Sequence, residues 1–413
     1  MDKKIFIIYF LTLIFVQNTY TKQKITFFTW VPFNEYKINQ ELIQEFQKIY
    51  PDIEIQYINV PSANAMRKLQ IMFTAGTPPD VMSIHGAFFI QFAAKGMLLP
   101  LDDMINKSKI LKISDFYPKV IEGCKYKDIL YSLPRYTSVY ILFYNKTLFD
   151  KEKLPYPDYT WTWKEFLDAS IKLTKRNSEG LIEQYGYFID FWGSRIYPWI
   201  WQNDGKTYDL KNNICLLNDK NTIEAIQFLV DLKFKYNVTP LALPIESKTN
   251  VEMFRVGKVG MFLSGVWEIQ NLKTEKKFEW DIAPLPKNKK RATMLGMENY
   301  AISSRTKNKE ISFKFLEFLL SEKQQLIMAE RLDKQPSLIS AGKKFIKMKK
   351  GYNTKVLIDA IEYGIIPPNL EQYNEVESIL QRQLDLIWLG KTNVKDGLET
   401  ATKKINAILK KKN

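Results

Sequence analysis

Histidine is almost missing from this chain of 413 residues, occurring once, at position 85. Zinc sites built on imidazole need several such rings, and two cysteines at 124 and 215 beside a single histidine match no metal-ligand spacing. No metal and no cofactor are therefore expected. A Ser-His-Asp arrangement would have to use His85, yet no Gly-x-Ser-x-Gly elbow accompanies it. Glycine loops that cradle phosphate are absent as well. Arginine is also scarce, nine of the 60 basic residues, and the lysines are scattered among Glu, Asp and Asn rather than gathered into a stripe. The net charge of +15 thus reads as solvated surface, with no nucleic-acid partner. Past the amino terminus, no apolar run approaches the ~20 residues that a membrane helix needs.

What the chain has in quantity is ring surface. Aromatic residues make up 14% of it, including 9 Trp and 22 Tyr, more than two cores of this size call for. Some rings are expected to face a ligand. The length itself exceeds what one hydrophobic core usually supports, which predicts two lobes. At the amino terminus, Asp2, Lys3 and Lys4 precede an apolar run from Ile5 to Val16, the pattern of a signal peptide covering residues 1–21. The mature start is placed near Lys22, and removal of 1–21 leaves a charge of +14. The first cysteine stands far downstream, which excludes lipid attachment at that junction. An exported, periplasmic product is expected, with Cys124 and Cys215 as separate buried thiols.

Between Lys24 and Pro100 the pattern alternates strand and helix. Ile25, Phe27 and Thr29 open a strand; Ile38, Leu42 and Phe46 form a helical stripe; Ile53, Ile55 and Tyr57 alternate with polar residues. Met66, Leu69 and Phe73 make a second helical face before the strand 81–84. Such β-α-β-α-β series build parallel sheets that bind ligands beyond the carboxyl ends of their strands. Loops 30–35, 59–62 and 85–87 are thus expected to line one edge of a cleft. Crossovers between lobes are expected at 134–138 and at 283–286. The expected division is 22–135 for the first part of the N-lobe, 136–285 for that of the C-lobe, 286–340 for an N-lobe return and 341–413 for closing C-lobe helices. Thr162 with Glu165, and Asn221 with Glu224, have the spacing of helix-capping pairs.

With imidazole, thiol and phosphate chemistry excluded, carboxylates, amides and rings remain, the ingredients of carbohydrate recognition. The candidates are Trp30, Glu35, Asp80, His85, Arg135, Tyr136, Trp192, Trp199, Trp201, Gln202, Asn203, Trp267, Glu298 and Asn299. Trp161, Trp163, Trp280 and Trp388 are assigned to packing instead.

These residues sit among motifs that carry a resemblance. They include Phe46-Gln47-Lys48-Ile49-Tyr50-Pro51-Asp52, Ala75-Gly76-Thr77-Pro78-Pro79-Asp80-Val81, Tyr144-Asn145-Lys146, Ser264-Gly265-Val266-Trp267 and Trp280-Asp281-Ile282-Ala283-Pro284-Leu285-Pro286. In this order, along nearly the whole mature chain, they resemble the extracellular solute-binding proteins of family 1, the sugar-binding components of bacterial ABC importers. The resemblance implies an α/β fold of the second periplasmic-binding-protein type, in which two lobes joined by crossover segments close on a ligand. It also implies a membrane permease as partner, a monomeric state and no catalytic residues. Trp267 then looks like the family's sugar-stacking tryptophan, with Val266 where a proline is usual. Trp199 to Asn203 falls on a Trp-Gln-Asn-Gly-Gly segment, with Asp204 replacing the first glycine. Arg135-Tyr136 stands where an acidic residue is frequent.

Two rival functions share these ingredients. An anionic solute such as glycerol phosphate is suggested by Arg135, Arg195 and the positive charge; a glycoside hydrolase would use two of Glu35, Asp80 and Glu298. An adhesin is suggested only by the aromatic surplus.

Overall fold

The structure, a computed structural model, describes residues 22–60, 64–240, 250–348, 351–368 and 370–410; the expected signal segment 1–21 lies outside them. Period-two alternation builds the first strands: β1 (Gln23–Thr29) buries Ile25 and Phe27, and β2 (Ile53–Asn59) buries Ile53 and Ile55. β3 (Val81–His85) completes a parallel set in which β1 lies between β2 and β3. Helix α1 (Phe33–Ile49) buries the expected stripe of Ile38, Leu42 and Phe46, and α2 (Ala65–Thr74) buries Met66, Leu69 and Phe73. Each such side chain contributes roughly 1.5–3 kcal/mol through apolar burial. α3 (Gly86–Ala94) follows β3 directly.

Two long strands carry the chain from lobe to lobe. β4 (Leu133–Asn145) is followed by β5 (Lys175–Arg176), β6 (Ile182–Phe188), β7 (Val259–Gly265), β8 (Trp280–Ala283), β9 (Thr293–Ile302) and β10 (Gly364–Ile365). One mixed sheet runs β2-β1-β3-β9-β4-β7-β6-β5, with β8 paired to β4 and β10 to β9. Up to Val139, β4 pairs with β9; from Tyr140 onward it pairs with β7. The first crossing thus lies one or two residues beyond the expected 134–138.

The second crossing is displaced. The loop 284–292 stays on the second lobe, where the Lys290 N–H donates to the Gln202 carbonyl at 3.1 Å, whereas β9 pairs from Leu295 onward with the first half of β4 and from Glu298 onward with β3. Crossing therefore occurs inside β9, and the proline pair at 284 and 286 only shapes a second-lobe loop, where the Lys287 N–H donates to the Trp161 carbonyl at 3.0 Å.

Further helices include α4 (Trp163–Leu173), α5 (Gly193–Gln202), α6 (Lys220–Phe234), α7 (Glu268–Leu272), α8 (Lys309–Leu320), α9 (Glu322–Leu332), α10 (Ile339–Met348), α11 (Thr354–Tyr363), α12 (Tyr373–Trp388) and α13 (Val394–Lys410). Of the segment expected to close the second lobe, α10 and α11 join a core cluster that runs through both lobes, from Ile25 of β1 to Phe262 of β7 and Ile282 of β8, by way of Ala341, Phe345, Val356 and Leu357. α12 and α13 join a separate cluster that lies with the second lobe, through Leu380, Leu384, Trp388, Leu398 and Ile405. An apolar stripe records that a helix is buried, not which lobe covers it.

Thr162 caps α4 with the expected reciprocal partner Glu165, whereas α6 starts two residues earlier than its motif suggested, capped by Asp219. Cys124 and Cys215 are buried and unpaired, and burial pushes the Cys124 thiol up to about 12. Trp161, Trp163 and Trp388 are buried packing residues, and Trp280 stacks on Tyr352. Among the described residues no helix is long and apolar enough to cross a membrane.

Candidate functional site

The inner ends of the hinge strands form the floor of a cavity of about 630 Å³. Strand alternation turns Tyr136, Ser138 and Tyr140 of β4 toward it, and β9 contributes residues from Met294 to Glu298. The β4–β9 register slips between Glu298, opposite Tyr136, and Asn299, opposite Pro134, which leaves Arg135 as the extra residue of a β-bulge. The bulge aims Arg135 into the protein rather than at the cavity. Its guanidinium bonds the Glu35 carboxylate, lies 3.8 Å from Glu298, and sits over the rings of Tyr136 and Tyr300 at 4.9 and 5.1 Å.

Glu35 takes its second cation from Lys334, 2.9 Å away. Burial would raise the Glu35 carboxyl, but the charges of Arg135 and Lys334 outweigh it and hold the group below the usual carboxylate range. Glu298, closer to the cavity, is pushed up by burial, an effect that Arg135 offsets only in part. Two carboxyls beside one guanidinium are thereby shifted in opposite directions, Glu35 down by its two cations and Glu298 up by burial.

One wall of the cavity comes from the ends of β1 and β3. The Trp30 and His85 rings meet at 5.8 Å, and the buried Trp30 indole N–H has no hydrogen-bond partner among the described residues. His85 Nδ1 accepts the Ala87 N–H at 3.2 Å, capping α3 and leaving Nε2 to carry the proton of the neutral ring. Gly86 is needed here, because a Cβ would lie 2.9 Å from the Met297 carbonyl oxygen of the adjacent strand.

The other wall is built on the end of β7. Trp267 is 40% exposed and meets Tyr140 edge-on at 5.8 Å. Its ring lies over Gly265, where a Cβ would come within 2.0 Å of it. Behind both rings sits Arg195, 4.6 Å from the Tyr140 centroid and 5.2 Å from that of Trp267, pinned by Asp190 at 3.2 Å. Replacing Arg195 with methionine is therefore expected to weaken ligand binding by about 0.5–2 kcal/mol and to shift Trp267 fluorescence. Unchanged emission together with unchanged affinity would show that the ring is held without the guanidinium.

The sequence candidates divide cleanly. Trp30, Glu35, His85, Tyr136, Trp267 and Glu298 line the cavity. Arg135 lies behind its wall, and Trp192 is an exposed residue at the start of α5, outside the lining. Four others are corrected into the second-lobe core. Trp199 is wedged among Trp163, Phe166, Tyr187 and Phe228, and Trp201 stacks on Tyr197. Gln202 accepts from the Trp163 indole at 2.8 Å, and Asn203 donates to the Asn221 carbonyl at 2.7 Å. The cause is helical: the face of α5 that meets the cavity carries Ser194 and Tyr197, one turn apart, while the chain from 199 to 203 points into the lobe.

Asp80 is corrected to the opposite end of β3, where it accepts from the Thr26 N–H at 2.8 Å and the Thr26 hydroxyl at 2.9 Å. Asn299, next to Glu298 on a strand, faces away from the cavity toward Cys124. Of the three expected loops, the first and third reach the cavity. Asn59 instead braces the first, accepting from the Val31 N–H at 2.9 Å, and residues 61–63 of that loop lie outside the described residues.

Tyr140, Ser194, Tyr197, Gln270, Lys334 and Tyr373 also line the cavity without having been singled out. Tyr140 was legible as the period-two partner of Tyr136, and Ser194 with Tyr197 as one face of a helix. Lys334 and Gln270 carry no local signal, because tertiary packing alone brings them in.

The family described as "Bacterial extracellular solute-binding protein" matches residues 32–326. The galactooligosaccharide-binding protein of Bacillus subtilis is 22% identical over 382 residues, 90% of this chain and 87% of that one. The maltotriose-binding protein of Pyrococcus abyssi is 24% identical over 261 residues, 61% of this chain and 51% of that one. Among solved structures, an ABC substrate-binding protein of Listeria monocytogenes in complex with cycloalternan superposes with a TM-score of 0.85 at 23% identity, covering 94% of this chain and 99% of that one. The GacH receptor of Streptomyces glaucescens gives 0.81 at 22%, covering 94% and 99%. These likenesses place the fold as the two-lobed type II periplasmic-binding-protein architecture.

Proposed function

The chain belongs to the bacterial extracellular solute-binding proteins, and from that premise we propose that it captures a sugar or short oligosaccharide between its lobes and delivers it, unaltered, to the permease of an ABC importer. The carrying observation is that one cavity receives the Trp30–His85 pair from the first lobe and the Trp267–Tyr140 pair from the second. Pyranose rings present apolar faces to such planes, while their hydroxyls find Asn34, Ser138, Ser194, Gln270, Asn271, Glu298 and Lys334 within the same lining. Export to the periplasm, action as a monomer and the absence of a catalytic step belong to this same reading, the first supported by the apolar run 5–16.

The two arginines that suggested an anionic ligand argue against one: Arg135 is committed to Glu35 and Glu298, and Arg195 to Asp190. The unlike carboxyls of Glu35 and Glu298 are the feature that favours a glycoside hydrolase. Glu35, however, has both oxygens engaged by Arg135 and Lys334, with its side chain 1% exposed, and cannot reach a glycosidic bond.

Isothermal titration against a panel of neutral saccharides tests the proposal. Saturable heat with at least one sugar, and no new reducing ends after prolonged incubation, is the expected result. Heat only with glycerol phosphate or another anion, or release of reducing sugar, would overturn it.

A further inference from the structure

We propose that the ligand is a short saccharide taken whole, with both of its ends inside the protein, rather than a stretch of a longer chain that runs out of the cleft. The inference rests on the saccharide reading above and adds the length class.

The floor has two flanks, fixed by strand order. β9 pairs with β4 along one edge; β10 pairs with the start of β9, at Thr293 and Met294, beside the other. On the far side of β4, the Thr137 N–H donates to the Gln335 carbonyl at 2.9 Å. The chain that continues from β10 and the chain around Gln335 therefore border the floor on opposite sides.

Each flank carries contacts that reach from lobe to lobe above the floor. Beyond β10, Tyr373 at the start of α12 meets Phe88 of α3 at 5.7 Å, and the Tyr126 hydroxyl donates to Glu371 Oε1 at 2.9 Å. Phe88 and Tyr126 belong with the first lobe, whereas α12 packs in the second. On the other flank, Asp333 ends α9 in the left-handed region and receives Lys273 Nζ at 2.5 Å together with the Gln270 amide, Gln270 lying in α7 and Lys273 at its C-terminal end, directly after the second-lobe strand β7. Tyr373, Asp333 and Gln270 all line the cavity. A saccharide extending past either flank would have to separate Phe88 from Tyr373, or break the ammonium pair of a carboxylate that is 0% exposed. The ligand is thereby confined to the space between them.

Titration of the full mature chain with β-1,4-manno-, galacto- and malto-oligosaccharides of increasing length tests this directly. Affinity is expected to peak at one short length and to fall by about tenfold or more for each unit beyond it. The double variant Phe88→Ala, Glu371→Ala, which opens one flank, should regain about tenfold for the longer chains and keep the melting temperature within a few degrees. Equal affinity along a series in the native protein, or no gain in the opened variant, would overturn the inference and leave the saccharide reading standing. No heat at any length in any series would overturn both.

Discussion

Replacing Arg135 with methionine will lower the unfolding free energy at neutral pH by about 3–5 kcal/mol, the usual consequence of leaving a buried charge without its partner. In the folded protein the guanidinium is 3% exposed, and it bonds a Glu35 carboxylate that is 1% exposed. Methionine keeps an unbranched apolar stem but leaves Glu35 with Lys334 alone at 2.9 Å. The retained lysine argues for the lower half of that range. Urea unfolding measures the change as a shifted midpoint at constant slope.

The pH dependence gives the result a second, independent signature. In the native protein the Glu35 carboxyl lies below its ordinary value, so its contribution to stability is fully present above the unfolded carboxyl value of about 4.3 and is lost as pH falls through the folded-state value. Without Arg135, burial acts against the charged form with less opposition, and protonation then relieves the variant. The stability gap between the two proteins should thus close as the pH falls below about 4. A gap that stays constant from pH 7 to pH 3 would mean that Arg135 supports the fold by packing on Tyr136 and Tyr300 rather than by its charge. If binding of an anion vanished while stability held, Arg135 would be a ligand residue after all.

Why this arginine was read as a ligand contact follows from what the sequence can express. Leu133-Pro134-Arg135-Tyr136 announces an extended segment at the lobe boundary, and the period-two rule then puts Tyr136, Ser138 and Tyr140 on one face. The bulge that turns Arg135 inward is visible only in its pairing with β9, some 160 positions away. The β-α-β-α-β series at the start was legible because its periodicity is local, and so were the capping pair of Thr162 with Glu165 and the ring at Trp267. The cluster that α10 and α11 share with residues of both lobes was not, since an apolar face does not say what covers it. Trp199 and Trp201 mislead for a related reason: a tryptophan-rich segment looks the same whether its rings stack on a sugar or on Phe228 and Tyr197. Orientation about the helix axis decides, and only tertiary contact fixes it.

Trp267→Ala should weaken saccharide binding by about 2 kcal/mol or more, roughly thirtyfold, because the indole is a large, rigid surface held in place beside Tyr140 and Arg195. Removal of a ring that is 40% exposed leaves little cavity in the core, so thermal stability should hardly change. The Gly265→Ala variant then separates presence of the ring from its placement. Its Cβ would fall 2.0 Å from the Trp267 ring atoms, a distance that no packing tolerates, so the indole must swing out of its position beside Tyr140 and Arg195. The expected loss in affinity is close to that of Trp267→Ala, although the tryptophan is still there. In the double variant the methyl group meets no ring, and the two losses should not add: affinity should match that of Trp267→Ala alone, as coupled neighbours require. Isothermal titration of the three variants decides the matter. Additive losses, or native affinity in Gly265→Ala, would mean that the sugar is gripped elsewhere and that the wall at the end of β7 is only a boundary.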